Sequence, residues 1–149
     1  MITEFLDPGE LRDGELRLIV AARTPADPVK GRAPAYEFSM VVADQRVGQI
    51  WLWLDASDSL IRYEGQIGYD VDPSHRGRHY AARSCRLLLP LARAHRFQEL
   101  WITCNPENIA SRRTCEFIGS QLMEIVPLPE DNPQFRKGER FTCRYRISL

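Results

Sequence analysis

The sequence predicts an α/β fold: a mixed central sheet of about seven strands around a strand-helix-strand-helix core, with a short connection from the first strand to the second. Three observations carry that expectation. Apolar residues alternate, or run in short branched blocks, through residues 15–71 and again near the end of the chain. After Pro73 the period changes, and Ala81, Cys85, Leu88 and Ala92 recur every three or four residues as one helical face. Proline, glycine and asparagine then divide the remaining blocks at spacings that suit single strands and helices.

Leu16 to Val20 mixes branched residues with alternation and is closed by Pro25 and Pro28, which predicts a first strand over residues 15–23. Residues 24–35 hold Pro25, Pro28, Gly31 and Pro34 without a helical period and are expected to be a loop. Tyr36 to Ala43 and Arg46 to Leu54 form an antiparallel hairpin around an Asp44-Gln45 turn. After the polar loop Asp55 to Ser59, Glu64 to Val71 is a fourth strand, ended by Asp72-Pro73 because proline cannot continue a ladder. A helix over residues 78–96 follows, with a kink expected at Pro90, where the missing N–H and a clash with the Arg86 carbonyl disturb the ladder. Glu99 to Cys104 is a compact strand. Asn105-Pro106 turns the chain, and Asn108 and Gly119 bracket a second helix as N-cap and stop. Gln121 to Val126 and Phe141 to Ile147 are the last strands, separated by a polar loop over residues 127–139.

A length of 149 residues with 44% hydrophobic content predicts one domain, residues 1–149, with a core large enough to need no disulfide or structural metal. Cys85, Cys104, Cys115 and Cys143 form no C-x-x-C pair, which argues against a zinc ribbon and for reduced cytoplasmic thiols. Leu18 to Ala22 is the longest apolar run near the start and follows acidic residues, unlike a signal peptide. No stretch approaches the ~18 to 20 apolar residues that cross a bilayer, so no membrane partner is expected. With 20 basic and 20 acidic residues the chain also lacks the excess charge that drives general nucleic-acid binding.

The charge is unevenly placed. His75, His79, His95 and the six arginines Arg76, Arg78, Arg83, Arg86, Arg93 and Arg96 fall within residues 75–96, with no acid among them. The cluster opens a helix directly after a strand, where free amides and the positive helix end attract phosphate. Neither a Walker loop nor G-x-G-x-x-G is present. His75 and His79 are four apart but lack a third ligand, so no metal site is expected.

Val71-Asp72-Pro73 followed by Arg76-Gly77-Arg78-His79-Tyr80-Ala81 resembles the signature Arg/Gln-x-x-Gly-x-Gly/Ala of the GNAT acetyltransferase superfamily, with His79 in place of a glycine. Asn108-Ile109-Ala110-Ser111, ending at Gly119, is similar to the family's Asn-x-x-Ser helix. Ile67-Gly68-Tyr69 and Arg144-Tyr145-Arg146-Ile147 look most like the branch that modifies protein N-termini or small amines.

The resemblance implies a GNAT-like fold, acetyl-CoA as cosubstrate and direct acetyl transfer to a primary amine of a small molecule, peptide or protein N-terminus. It implies that Val71, Arg76, Gly77, Arg78, His79, Tyr80 and Ala81, with Asn108 and Ser111, hold the cosubstrate. Its effect at His79 is a Cβ where backbone and phosphate approach closely, which sets the loop further out or adds an imidazole donor. An alkylamine of pKa about 10 must lose a proton before attack. Glu64 and Asp70, at the two ends of the fourth strand, are candidate bases. The family's usual tyrosine acid falls at Cys115, so Cys115, Tyr80 and Tyr69 are candidate acids, beside an unaided or water-assisted departure. Tyr36, Glu37 and Trp53 are candidate acceptor-pocket residues. The pocket is closed by the loops at 24–35 and 127–139, by a second subunit in a homodimer, or left open for a peptide. Two other classes stay in view: a noncatalytic CoA-sensing or peptide-binding module, and an RNA-binding domain using the arginine-rich helix.

Overall fold

A computed structural model describes residues 4–58 and 60–149. Five antiparallel strands come first: β1 (Leu11–Asp13), β2 (Leu16–Thr24), β3 (Ala35–Val42), β4 (Gln45–Trp53) and β5 (Ile67–Val71), ordered as numbered. Helix α1 (Tyr80–Ala94) carries the chain to β6 (Glu99–Cys104), and α2 (Ile109–Phe117) carries it to β7 (Gln121–Pro127). The short helix α3 (Pro133–Arg136) precedes β8 (Phe141–Ser148), which inserts between its neighbours to give the order β6-β8-β7.

The α/β fold is the expected one, with eight strands among the described residues rather than about seven. The added strand is β1, which turns through Asp13-Gly14, with Gly14 at φ +58, and pairs with Leu16–Leu18. Ala43 and Asp44 both take positive φ, +50 and +61, so the β3–β4 turn lies one residue earlier than expected and Gln45 is already paired with Val42. The β2–β3 connection is short and self-braced: Asp27 and Arg32 exchange backbone bonds of 2.9 and 2.8 Å. Helix α1 runs unbroken through Pro90, which is exposed.

Every named ladder is antiparallel, and the strand-helix-strand crossing β5-α1-β6 spans the place where the two sets of strands part. They are pinned at one end. Gly65 bridges Ile102, the Gln66 N–H donates to the Trp101 carbonyl at 2.8 Å, and the Trp101 N–H donates to the buried Gln66 Oε1 at 2.7 Å. Gly65 is required there: at φ +76, a Cβ would stand 2.8 Å from the Trp101 carbonyl oxygen. The same constraint withdraws Glu64 from the fourth strand, since Leu60–Glu64 is wound into a single π-helical turn. The core gathers Phe38, Met40, Ile50 and Leu52 of the first set, Leu100, Ile102 and Tyr145 of the second, and the Cys85–Leu88–Ala92 face of α1. Packing of that face holds the helix across the parted strands and brings the N-termini of α1 and α2 to the gap.

Candidate active site

A cleft of about 500 Å³ runs along β5 from Tyr69 to Val71 and under the first turns of α1 and α2. Its floor is built by the turn that Pro73 forces. A 3-10 turn over Pro73–His75 uses the N–H groups of His75 and Arg76 on the Asp72 and Pro73 carbonyls, at 2.9 and 3.5 Å. Among the described residues, the N–H groups of Gly77 through Ala82 have no backbone acceptor. Consecutive free amides at a helix start form an anion site. Gly77 has φ +88, with nothing within 4 Å of a would-be Cβ, so the backbone conformation and not space calls for glycine.

His79 is the N-cap of α1 and keeps the left-handed conformation, φ +61 and ψ +25, that glycine adopts freely. Its ring lies against Phe117 of α2 at 4.5 Å and 12°, and Arg86 donates to the Phe117 carbonyl at 2.6 Å with its guanidinium over the same ring. The ring of His79 thus stacks across the cleft, a contact that neither expected adjustment, a loop set further out or an added imidazole donor, included. Arg76 donates from Nε to the Val71 carbonyl at 2.9 Å and pairs with Asp70 at 3.8 Å. Arg113 also lines the cleft, whereas Arg78 is exposed and does not.

A second cavity, of about 550 Å³, is bounded by β5, the end of β6 and the loop between β7 and β8. Tyr69, Asn108 and Ser111 line both cavities. At this junction the Tyr69 hydroxyl and Ser111 Oγ are 2.7 Å apart, and Asn108 Oδ1 accepts the Ser111 N–H at 3.1 Å as the N-cap of α2. Burial raises the Tyr69 phenol far above its usual value, so it stays protonated. Cys104 lines the second cavity close by and faces Cys143 across the ladder. The neighbouring Cys115 thiol outweighs burial and holds the Cys104 thiol below its ordinary value, while Cys115 itself is pushed up and remains protonated.

The other sequence candidates separate. Glu64 lines the second cavity with Trp53, and Asp70 lines the first cleft, exposed and beside Arg76. Tyr80 is almost wholly buried in the first turn of α1 and reaches only the first cleft; Cys115 is fully buried and lines neither. Tyr36 lies in the core with its hydroxyl 2.8 Å from His95 Nε2, and Glu37 accepts from Trp51 Nε1 at 2.8 Å; neither meets the second cavity. Sequence reasoning passed over Glu139, Arg113 and Phe117. Arg113 and Phe117 sit one and two turns beyond Ala110, a helical period that signals the cleft side, but nothing local marks Glu139. Among the described residues no group of His, Cys, Asp or Glu is arranged to hold a metal.

Residues 3–121 match the family model of the acetyltransferase (GNAT) domain. The chain belongs to the GNAT acetyltransferase family. Solved structures of the same fold include an apo form of RimL, a ribosomal L7/L12 alpha-N-protein acetyltransferase, at 14% identity over 100% of this chain and 96% of that one, TM-score 0.65. The microcin C7 self-immunity acetyltransferase MccE, in complex with acetyl-CoA and AMP, is 16% identical over 77% of this chain and 61% of its own, TM-score 0.62. RimJ of Mycobacterium smegmatis, in complex with CoA-disulfide, is 20% identical over 77% of this chain and 53% of its own, TM-score 0.60. The chain therefore spans less than two thirds of the length of MccE and RimJ. No match is found among curated proteins.

Proposed function

We propose that the chain transfers an acetyl group from acetyl-CoA directly to a primary amine of a small molecule, a peptide or a protein N-terminus. One observation carries this reading: two cavities, one under the free amides of a helix start and one beside it, share Tyr69, Asn108 and Ser111. A reaction between two substrates needs two compartments meeting at the reacting atoms. We further read residues 1–149 as one catalytic domain. Its four free cysteines suit a cytoplasmic enzyme, and among the described residues no helix is long and apolar enough to cross a membrane.

The first cleft fits the cosubstrate. Amides of Gly77 to Ala82, with Arg76 and Arg113, receive the phosphates, and the Tyr69–Val71 edge and Asn108 receive the arm. Acetyl-CoA, when bound, supplies an acyl group activated as a thioester. Glu64, in the second cavity, takes the proton of the incoming amine, a role that suits it better than Asp70, which is engaged by Arg76 in the other cleft. The Tyr69 hydroxyl, hydrogen-bonded to Ser111 Oγ at the junction, gives its proton to the leaving sulfur and regains one from the acetylated nitrogen as the intermediate collapses to the amide. This pair supplies the acid that the buried Cys115 is poorly placed to supply.

The test is thiol release from acetyl-CoA with a panel of amines and N-terminal peptides. Tyr69→Phe should lower kcat by about a hundredfold, the low end of the usual range for proton transfer, with acetyl-CoA affinity kept. Tight acetyl-CoA binding with no thiol release across the panel would overturn catalysis in favour of a CoA-sensing module.

A further inference from the structure

The cavity opposite the phosphate cleft has a one-sided charge. Its charged lining residues are Glu64 and Glu139, with no Lys, Arg or His among the rest. The two carboxylates come from segments far apart in the chain, the π turn before β5 and the loop before β8. Among the described residues neither forms an ion pair. Of the basic residues near them in sequence, Arg136 and Lys137 are exposed and do not line the cavity, and three arginines are engaged elsewhere. Arg140 lies over the Phe135 ring at 4.0 Å and donates to the Phe135 and Glu139 carbonyls, Arg62 lies over Tyr63, and Arg144 is bound to Glu124. Besides the Cys104 thiol and the junction residues Tyr69, Asn108 and Ser111, the remaining polar surface is amide and hydroxyl, including Asn105, Asn132, Gln134, Thr103 and Thr142. Such groups bind a polar acceptor but neutralise no charge.

We infer that the acceptor carries a second positive charge besides the amine that reacts. The inference rests on the transferase reading. One carboxylate suffices to take the proton of the attacking amine. The other then faces the acceptor as a fixed negative charge, and two like charges around one cavity favour a ligand that brings two cations and disfavour phosphorylated or acidic ones. The dication can belong to a diamine or amino sugar, or to a peptide with a basic side chain near its N-terminus, and the experiment separates these sources.

Thiol release is measured for matched probes: 1,4-diaminobutane against n-butylamine, and Ala-Lys-amide against Ala-Gln-amide and Ala-Glu-amide. The charged member should lead its neutral partner by about tenfold or more in kcat/KM in at least one set, and that set identifies the source. High salt should narrow the gap, and Glu139→Gln should shrink it without altering acetyl-CoA affinity, since Glu139 lines only the second cavity. Equal kcat/KM for charged and neutral members of both sets, or a preference for Ala-Glu-amide, overturns the inference while the transferase reading stands. If no amine releases thiol, the transferase reading falls, and calorimetry of the acetyl-CoA-loaded protein decides the cavity's preference. Tighter binding of 1,4-diaminobutane than of n-butylamine, weakened in Glu139→Gln, upholds it; equal binding overturns it.

Discussion

Gly77 is the position where the anion site can be tested with least disturbance to the fold. Its φ of +88 means that any side chain incurs strain, but a Cβ there meets nothing within 4 Å, so the strain is conformational only. Gly77→Ala and Gly77→Asp share that strain, about 1 to 2 kcal/mol for a left-handed non-glycine residue. Each should lower Tm by a few degrees, about 2 to 4 °C per kcal/mol at this size. The difference between them is charge. A carboxylate about 6 Å from one phosphate charge opposes it by about 0.7 kcal/mol in fully aqueous surroundings and about 2.8 kcal/mol at an effective dielectric of 20. With two phosphate charges in the site, even the screened limit is about 1.4 kcal/mol, or tenfold. Isothermal titration with acetyl-CoA should therefore give Gly77→Asp at least tenfold weaker binding than Gly77→Ala, with the gap narrowing as salt rises. Equal affinities of the two folded variants would show that the diphosphate lies elsewhere, and the reading of residues 76–81 as its site would be wrong.

Three further outcomes follow from local geometry. Gly65→Ala should lose roughly 2 kcal/mol or more in denaturant unfolding, because its Cβ would meet Trp101 and Ile102 backbone at 2.8 and 3.1 Å; a loss near that of Gly77→Ala would mean the β5–β6 pin yields easily. The Glu15 carboxyl is held down to about 2, chiefly by its hydrogen bond from Arg83 at 2.8 Å. A depressed acid stabilises the fold above its usual value of 4.5 and stops doing so as pH falls through about 2, so the stability gap between the wild type and Arg83→Gln should be flat near neutral pH and close between those two values. A gap that widened on acidification would contradict the pairing. Iodoacetamide should label Cys104 with a rate that inflects below the ordinary thiol value of about 8.5, because the neighbouring Cys115 lowers it; an inflection at or above that value would refute the thiol pairing.

The fold and the phosphate end of the site were legible for local reasons. Glu99–Cys104 and its following N-cap Asn108 are written in adjacent residues, and so are Pro73 and the helix start that leaves amides free. The acceptor side depends on contacts between distant segments, and period-two alternation says which residues of β5 share a face without saying what each face meets. It therefore ranked neither Tyr69 nor Glu64, whose positions depend on α2 and on the Gly65 pin, and it was silent on Glu139, which is brought in by a loop with no motif. Cys115 matched a family position by spacing, yet spacing does not reveal that the thiol is fully buried and lines neither cavity.

His79 carries the lesson furthest, because there the sequence points toward a defect and the fold supplies a compensation. A non-glycine residue at φ +61 costs about 1 to 2 kcal/mol, less for histidine, which visits that region more readily than most. Against this stands a stacked aromatic contact with Phe117, worth about 0.5 to 1.5 kcal/mol, and the conformational entropy a glycine would lose, about 0.5 to 1 kcal/mol. The terms are equal in size and opposite in sign, so His79 preserves the amide cradle at little net penalty. Arg86, bound to the Phe117 carbonyl, fixes the far side of that stack and so ties the first half of α1 to the end of α2 beside the phosphate cleft. A motif departure is thus a statement about two helices at once, and only the packing between them decides whether it weakens the site or rebuilds it.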